Sequence, residues 1–306
     1  MIKKDLIILG TGPAGLTASI YASRFQINHL LIGEEFGGYM NESFKIENYP
    51  GLPGISGAEL SQKMKSHAET LGSEVLQEKI ISVKKNNELF EIATHKEKYH
   101  SKTVILATGT VFRKLGVPGE EKLAGKGVSY CATCDGPFFK DKKVAVVGGG
   151  NSALNAALLL SQYAKEVAIF YRAEKLRAVP SYVKQVNKKE NIETVSQTNI
   201  VEIKGEQKVE KIVLDNPYKE EKELSFDGVF VEIGSLPDTS HLEEMEIEKD
   251  ERGYIKTNQD QTTNIEGLFA AGDITTNSNN FRQIITAASE GAIAAASAYQ
   301  EINQGQ

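Results

Sequence analysis

The chain has 306 residues, 40% hydrophobic and 25% charged, which fits two domains of roughly 100–200 residues and excludes a disordered or low-complexity polymer. A net charge of −6 argues against a general nucleic-acid footprint, which needs a basic face. No run of about 18 apolar residues occurs, so no membrane-spanning helix is expected. The first residues set two lysines before an apolar stretch, as a signal peptide does. That stretch is short and enters GTGPAG instead of a cleavage site, so it reads as a buried strand and the expected compartment is the cytoplasm.

Residues 5–9 (DLIIL) lead into Gly10-Thr-Gly12-Pro13-Ala14-Gly15, then a helical stretch LTASIYASRF and a second apolar strand at 29–33 (HLLIG). Each glycine has its own reason: the first turns strand into helix, the second lets backbone approach a pyrophosphate, the third packs helix on strand. The helix start then offers free N–H groups and a positive dipole end to phosphates. An acid is wanted about 20 positions on for the adenosine ribose, and Glu34 and Glu35 both stand there. The loop predicts a dinucleotide without deciding between FAD and NAD.

Cys131-Ala-Thr-Cys134-Asp135 follows, and its two cysteines are the only ones in the chain. Two thiols so spaced at a helix start can close and reopen a small ring, one thiolate being favoured by the helix dipole. Asp135 is a candidate acid for a leaving thiolate. A structural zinc wants about four ligands, which only sharing across a dimer would supply, so no metal is expected. A non-catalytic redox switch built on the same dithiol is the reading from another class.

Residues 143–147 (KVAVV) repeat the strand and glycine pattern with Gly148-Gly-Gly150-Asn151-Ser152-Ala153, a helical stretch LNAALLLSQYA and a strand at 166–172. The alanine in third place is tolerated by helix packing. After that strand, where NAD would want a carboxylate, stand Arg172 and Arg177. Their planar forks favour a 2′-phosphate and hence NADPH, the alternative being two solvated surface arginines. Residues 267–274 (GLFAAGDI) again read strand, glycine, acid, and the helix after them is rich in small residues. That segment goes with the first domain. The fold class is therefore α/β with two Rossmann-like dinucleotide-binding domains, the second inserted in the first. The expected boundaries are 1–114 with 242–306, and 115–241 for the insert carrying the CxxC.

In this order the segments resemble the low-molecular-weight thioredoxin reductases over nearly the full length. GTGPAGLTASIYASR, GGYMN at 37–41, IENYPG at 46–51, ILATG at 105–109, CATCDG at 131–136, VVGGGNSA at 146–153, GLFAAGDI and FRQIITAASEG carry the likeness. The resemblance implies an FAD-dependent thioredoxin-disulfide reductase. FAD would be lined by Gly10, Gly12, Pro13, Ala14, Gly15, Gly38, Ala107, Thr108, Gly109, Asp273, Arg282 and Gln283, with Asn48 near the isoalloxazine. NAD(P)H would lie on Gly148, Gly150, Asn151, Ser152, Ala153, Arg172 and Arg177. Cys134 would be the sulfur nearest the flavin, Cys131 the nucleophile on the partner's disulfide, and Asp135 the acid. A homodimer, thioredoxin or a glutaredoxin-like protein as partner, and no membrane are implied as well.

Three positions depart from the family pattern. Asn151 replaces the acid of GGGDSA, Ala173 takes the place of one of three arginines in HRRxxxR, and Tyr39 stands where glutamine is frequent. The first two open the donor to NADPH, NADH, or a non-nicotinamide source such as ferredoxin or a reduced deazaflavin. A ferredoxin–NADP reductase of the same fold is the alternative enzyme, and the dithiol argues against it.

Overall fold

The computed structural model describes residues 2–43 and 46–304, without the side chains of 42, 134, 280 and 304. The chain forms two compact units, one running up to Val111 and resuming at Leu236, the other spanning Phe112–Ser235. The sequence places the crossings at 114/115 and 241/242, whereas the units change over at 111/112 and 235/236. The second crossing lies earlier because Asp238, which the sequence reading gives to the insert, is hydrogen-bonded to Thr108 and Gly109 of the first unit.

The first unit runs β1 (Ile2–Leu9), α1 (Pro13–Arg24), β2 (His29–Gly33), α2 (Gly57–Thr70), β3 (Glu74–Gln77), β4 (Ile80–Asn86), β5 (Leu89–Thr94), β6 (Lys98–Leu106) and β7 (Thr110–Phe112). The second runs α3 (Glu120–Leu123), β8 (Val128–Ser129), α4 (Ala132–Asp135), β9 (Lys143–Val147), α5 (Asn151–Leu160), β10 (Glu166–Tyr171), α6 (Pro180–Val186), β11 (Ile192–Ser196), β12 (Ile200–Lys204), β13 (Lys211–Tyr218), β14 (Glu221–Ser225) and β15 (Gly228–Val231). The chain then returns with β16 (Ser235–Pro237), β17 (Leu268–Ala270) and α7 (Ile284–Gln304) to complete the first unit.

In the first unit the strand order is β3-β2-β1-β6-β5-β4, with β17 pairing β6. β1, β2, β3, β6 and β17 pair in parallel, while β4, β5 and β6 pair antiparallel. Period-two alternation splits the central strands between two cores. Leu6, Ile8 and Leu31 face one core with α1, α2 and α7, and Ile7, Leu9 and Leu30 face the other. All six are fully buried, so Leu31→Ala is worth about 2–5 kcal/mol. The small residues of α7 have a steric reason. A Cβ on Gly291 would lie 2.0 Å from the Ala14 carbonyl oxygen, so α1 and α7 approach backbone to backbone.

In the second unit the order β11-β10-β9-β15-β8 is wholly parallel. A separate antiparallel sheet, β12-β13-β14, packs its Ile203, Ile212 and Leu214 beneath it, an element the glycine and apolar patterns do not announce. The helix read across 154–164 stops at Leu160, because Tyr163 and Ala164 bond back to it in a turn. Both sheets share one topology at their centres. In each sheet the first strand leads through its helix to a neighbour on one side (β1 to β2, β9 to β10), while a later strand (β6, β15) pairs on its other side. At the carboxyl end of such a reversal of strand order lies the crevice where α/β sheets hold ligands.

Candidate active site

At the first crevice Gly10 has φ +110°, and a Cβ there would lie 2.1 Å from the Ala107 carbonyl oxygen. A Cβ on Gly15 would lie 1.8 Å from the oxygen of Gly10, so both glycines are steric necessities of the strand–helix contact. Gly12 differs. Nothing but the Gly37 oxygen, at 4.0 Å, approaches a Cβ there, and α1 starts at Gly12 without a side-chain cap and with Pro13 in its first turn. Open space over uncapped helical N–H groups is what a diphosphate requires, so these residues fit a dinucleotide.

The loop after β2 is fastened alongside. Thr11 Oγ1 donates to the Glu35 carbonyl at 2.7 Å, and Gly37 N–H donates to the Thr11 carbonyl at 2.8 Å. Glu34 and Glu35 are both exposed there, and Glu34 is paired to Lys79 at 3.5 Å. Gly38 opens a short 3₁₀ turn, Gly38–Glu42, with its Cβ position 3.8 Å from the Gly12 Cα. Beyond β6, Thr108 Oγ1 donates to the Asp238 carbonyl at 3.0 Å and the Gly109 carbonyl accepts from Asp238 N–H at 3.1 Å.

The rest of this site comes from the other end of the chain. Asn48 Nδ2 donates to Gln283 Oε1 at 2.7 Å, joining residues 235 positions apart. Arg282 donates through Nε to the Asp273 carbonyl at 3.2 Å and lays its guanidinium 3.9 Å from the centre of the Tyr254 ring. α7 begins only at Ile284, so Arg282 and Gln283 sit in the preceding loop. Burial pushes the Asp273 carboxyl up to about 6, with Arg282 opposing the shift and Glu290 adding to it.

Glu290 is absent from the sequence reading. Its side chain is buried in α7 and accepts from Gly272 N–H at 2.8 Å, from Thr275 Oγ1 at 3.1 Å and from Ser278 Oγ. The signal was an acid inside a run of small apolar residues, TAASEGAIAAAS, where a helix buries its stripe.

At the second crevice Gly148 has φ +140°, and a Cβ there would lie 2.2 Å from the Glu232 carbonyl oxygen. A Cβ on Gly149 would strike the Tyr171 ring at 2.4 Å, whereas one on Gly150 meets nothing within 4 Å. Gly150 starts α5 without a side-chain cap, Ser152 is exposed in its first turn, and Ala153 is fully buried against the sheet. Asn151, which stands where the family places an acid, has a local task. Its Oδ1 accepts from Val179 N–H at 2.8 Å at the start of α6.

The segment between is closed onto the glycine loop at its other end too. Arg177 N–H donates to the Gly149 carbonyl at 2.8 Å, and its Nε donates to Tyr171 Oη at 3.0 Å. A recess of about 500 Å³ opens there, lined by Tyr171, Arg172, Ala173, Glu174, Lys175 and Arg177. Lys175 adds a third cation where Ala173 supplies none.

The dithiol segment follows β8 at the carboxyl edge of the same sheet. Cys131 N–H donates to Ser129 Oγ at 3.0 Å, Asp135 N–H donates to the Cys131 carbonyl at 3.1 Å, and Cys131 is disulfide-bonded. The Cys134 backbone lies in α4, and its side chain falls outside the described atoms. α4 is a single turn, so aligned peptide dipoles contribute less to a thiolate here than a full helix start would. Beside Cys131, Tyr130 Oη donates to the buried Glu120 at 2.8 Å, and the same carboxylate accepts from the N–H groups of Leu115 and Gly116 at 2.7 and 2.6 Å.

The model of the pyridine nucleotide-disulphide oxidoreductase family matches residues 4–291. Thioredoxin reductase of Bacillus subtilis is 42% identical over 98% of this chain and 95% of its own length. Among solved structures, thioredoxin reductase of Lactococcus lactis superposes with a TM-score of 0.93 at 39% identity, covering 98% of this chain and 99% of that one. A ferredoxin-flavin thioredoxin reductase of Clostridium acetobutylicum gives a TM-score of 0.56 at 32% identity, covering 99% of both chains.

Proposed function

The chain belongs to the pyridine nucleotide-disulphide oxidoreductase family, and from that membership we propose that it is a thioredoxin-disulfide reductase, drawing an electron pair from a nicotinamide dinucleotide and delivering it through FAD and the Cys131/Cys134 pair to the disulfide of thioredoxin or a glutaredoxin-like protein. One observation carries the reading: two glycine loops stand at the crevices of two separate sheets, and the chain's two cysteines lie at the carboxyl edge of the second.

FAD, when bound, supplies the two-electron chemistry that couples a hydride donor to a disulfide without a radical step. The uncapped start of α1 at Gly12 holds its diphosphate, and Asp273, Arg282 and the Asn48–Gln283 pair orient the remainder. Glu34 or Glu35 meets its ribose. At the second loop, Gly150 and the start of α5 hold the diphosphate of the donor. The cations Arg172, Lys175 and Arg177 face its 2′-phosphate, which makes NADPH the preferred donor.

Reduced Cys131 attacks one sulfur of the partner disulfide as a thiolate, and the other partner sulfur leaves and takes a proton. Cys134 then attacks the Cys131 sulfur, restoring the internal disulfide and releasing the second partner thiol. Asp135 carries the protons these leaving thiolates need. The enzyme works as a homodimer in the cytoplasm.

Anaerobic titration of the yellow protein with NADPH, NADH and reduced ferredoxin in turn, followed by flavin absorbance, tests the entry of electrons. NADPH is expected to bleach the flavin at the lowest concentration. A flavin that stays oxidised under both nicotinamides while ferredoxin reduces it would transfer the donor role to ferredoxin. Cys131→Ser is expected to keep FAD bound and to lose thioredoxin reduction.

A further inference from the structure

The two crevices repeat one local geometry with a single chemical difference. In the first unit β1 runs into Gly10 and β6 into Ala107. The Gly10 Cβ position is 2.1 Å from the Ala107 oxygen, and Ala107 N–H donates to the Leu9 carbonyl at 2.7 Å. In the second unit β9 runs into Gly148 and β15 into Glu232. There the corresponding approach is 2.2 Å, and Glu232 N–H donates to the Val147 carbonyl at 2.8 Å. Glu232 is thus the backbone counterpart of Ala107. Since Val231 packs in one core and Phe230 in the other with α5, strand alternation turns the Glu232 side chain to the α5 face.

None of the chemistry above uses this carboxyl. It is half-buried and, among the described residues, makes no side-chain hydrogen bond or ion pair. Burial alone pushes it up to about 7, with no charged neighbour contributing. The surrounding elements account for that. α5 contains no charged residue, and the one charge of β9, Lys143, starts the strand and pairs with Glu166 at 2.7 Å. On the other side β15 pairs with β8 at Phe230–Ser129, and two residues further along these strands come Glu232 and Cys131. Cys131 is in a disulfide and does not titrate, and the phenol of Tyr130 is pushed upward by burial and by Glu120. Arg172, Lys175 and Arg177 follow β10, which lies across β9 from β15.

A dinucleotide brings two phosphate charges to Gly150 and the start of α5. An ionised carboxylate in the same mouth, drawn out of water, opposes that approach, whereas a neutral carboxyl can donate a hydrogen bond to it. We propose that Glu232 makes dinucleotide binding at the second glycine loop proton-linked, the ligand being taken up with the Glu232 carboxyl neutral. This rests on the reading of that loop as the donor site. Above neutrality one proton from solution enters with each dinucleotide, and the donor is held more tightly in acid than in alkali.

The test is calorimetric titration of the full-length, FAD-loaded protein with NADP⁺ and, separately, NAD⁺, neither of which reduces the flavin. It is run between about pH 6 and pH 8 in pairs of buffers of different ionisation heat. For a single linked carboxyl near 7, wild-type affinity falls about tenfold across this range, and proton uptake approaches one per ligand at pH 8. Glu232→Gln and Glu232→Ala, the latter reproducing the residue of the first mouth, should bind NAD⁺ with flat affinity and no uptake. NAD⁺ lacks the 2′-phosphate, whose own titration the variants cancel in the NADP⁺ series. Flavin content and melting temperature equal to wild type show that the variants are folded. Affinity that falls in parallel in wild type and Glu232→Gln overturns the inference, as does wild-type binding without proton uptake. Binding at pH 8 by the two variants but not by wild type supports it. If none of the three proteins binds either dinucleotide at any pH, the donor-site reading fails and this inference falls with it.

Discussion

Glu290→Ala should loosen the segment that carries Asp273 and Arg282 and thereby release flavin. Wild-type Glu290 is 5% exposed and accepts from Gly272 N–H at 2.8 Å, Thr275 Oγ1 at 3.1 Å and Ser278 Oγ. The three losses are unequal. The Thr275 hydroxyl keeps the Gly272 carbonyl as an acceptor at 3.0 Å, and half-buried Ser278 can turn to water. Gly272 N–H is the group left stranded, since Gly272 is buried and its amide cannot rotate. An orphaned buried donor costs about 1–3 kcal/mol, and a lost charge-assisted bond about 1.5–3 kcal/mol. Against this stands the relief of no longer burying a carboxylate next to Asp273, which the variant gains. The net loss is about 3 kcal/mol, a fall in melting temperature of about 6–12 °C for a unit of this size. Glu290→Gln retains an acceptor for Gly272 and should lose about 1 kcal/mol. Urea unfolding followed by circular dichroism, with flavin fluorescence reporting release, measures both. Glu290→Ala within about 0.5 kcal/mol of wild type, with flavin held as tightly, would refute the reasoning.

The glycines of the first loop should separate by role. Gly10→Ala, at φ +110° with its Cβ 2.1 Å from a backbone oxygen, loses more than about 3 kcal/mol of stability along with its flavin. Gly12→Ala, with nothing nearer than 4.0 Å, keeps its melting temperature as apoprotein and still fails to retain FAD, as absorbance after gel filtration would show. Asp273 ties flavin-free stability to pH. Its carboxyl stands at about 6 against an ordinary 3.8, so the native state binds the extra proton in between, and stability is full below 3.8 and lost as pH rises to about 6. The loss is about 3 kcal/mol by linkage, and denaturant curves of the apoprotein at successive pH values should show it in wild type and not in Asp273→Asn. Asn151→Ala frees the Val179 N–H that holds the arginine segment against the glycine loop, and NADP⁺ binding should weaken about fivefold at unchanged flavin content.

Much of this was written locally. β9 falls on 143–147, the apolar run set before a glycine turn, because a buried parallel strand feeding a helix needs both signals within a few residues, and β2 falls on the apolar run at 29–33 that follows α1. The CxxC with its following acid is likewise a matter of immediate neighbours, and so is the demand that Gly10 and Gly148 lack a Cβ. Chain order could not show which distant residues would meet. Asn48 reaches Gln283 across 235 positions, Glu290 turns inward to hold Gly272, and Glu232 arrives beside Gly148 only because β15 returns to pair with β9. Glycine turns, apolar runs and paired thiols are decided by the conformations open to a few consecutive residues, and the sequence alone determined them. Where each buried carboxylate lies depends on strand order and register, which balance the burial of whole faces, and only the tertiary structure decided that.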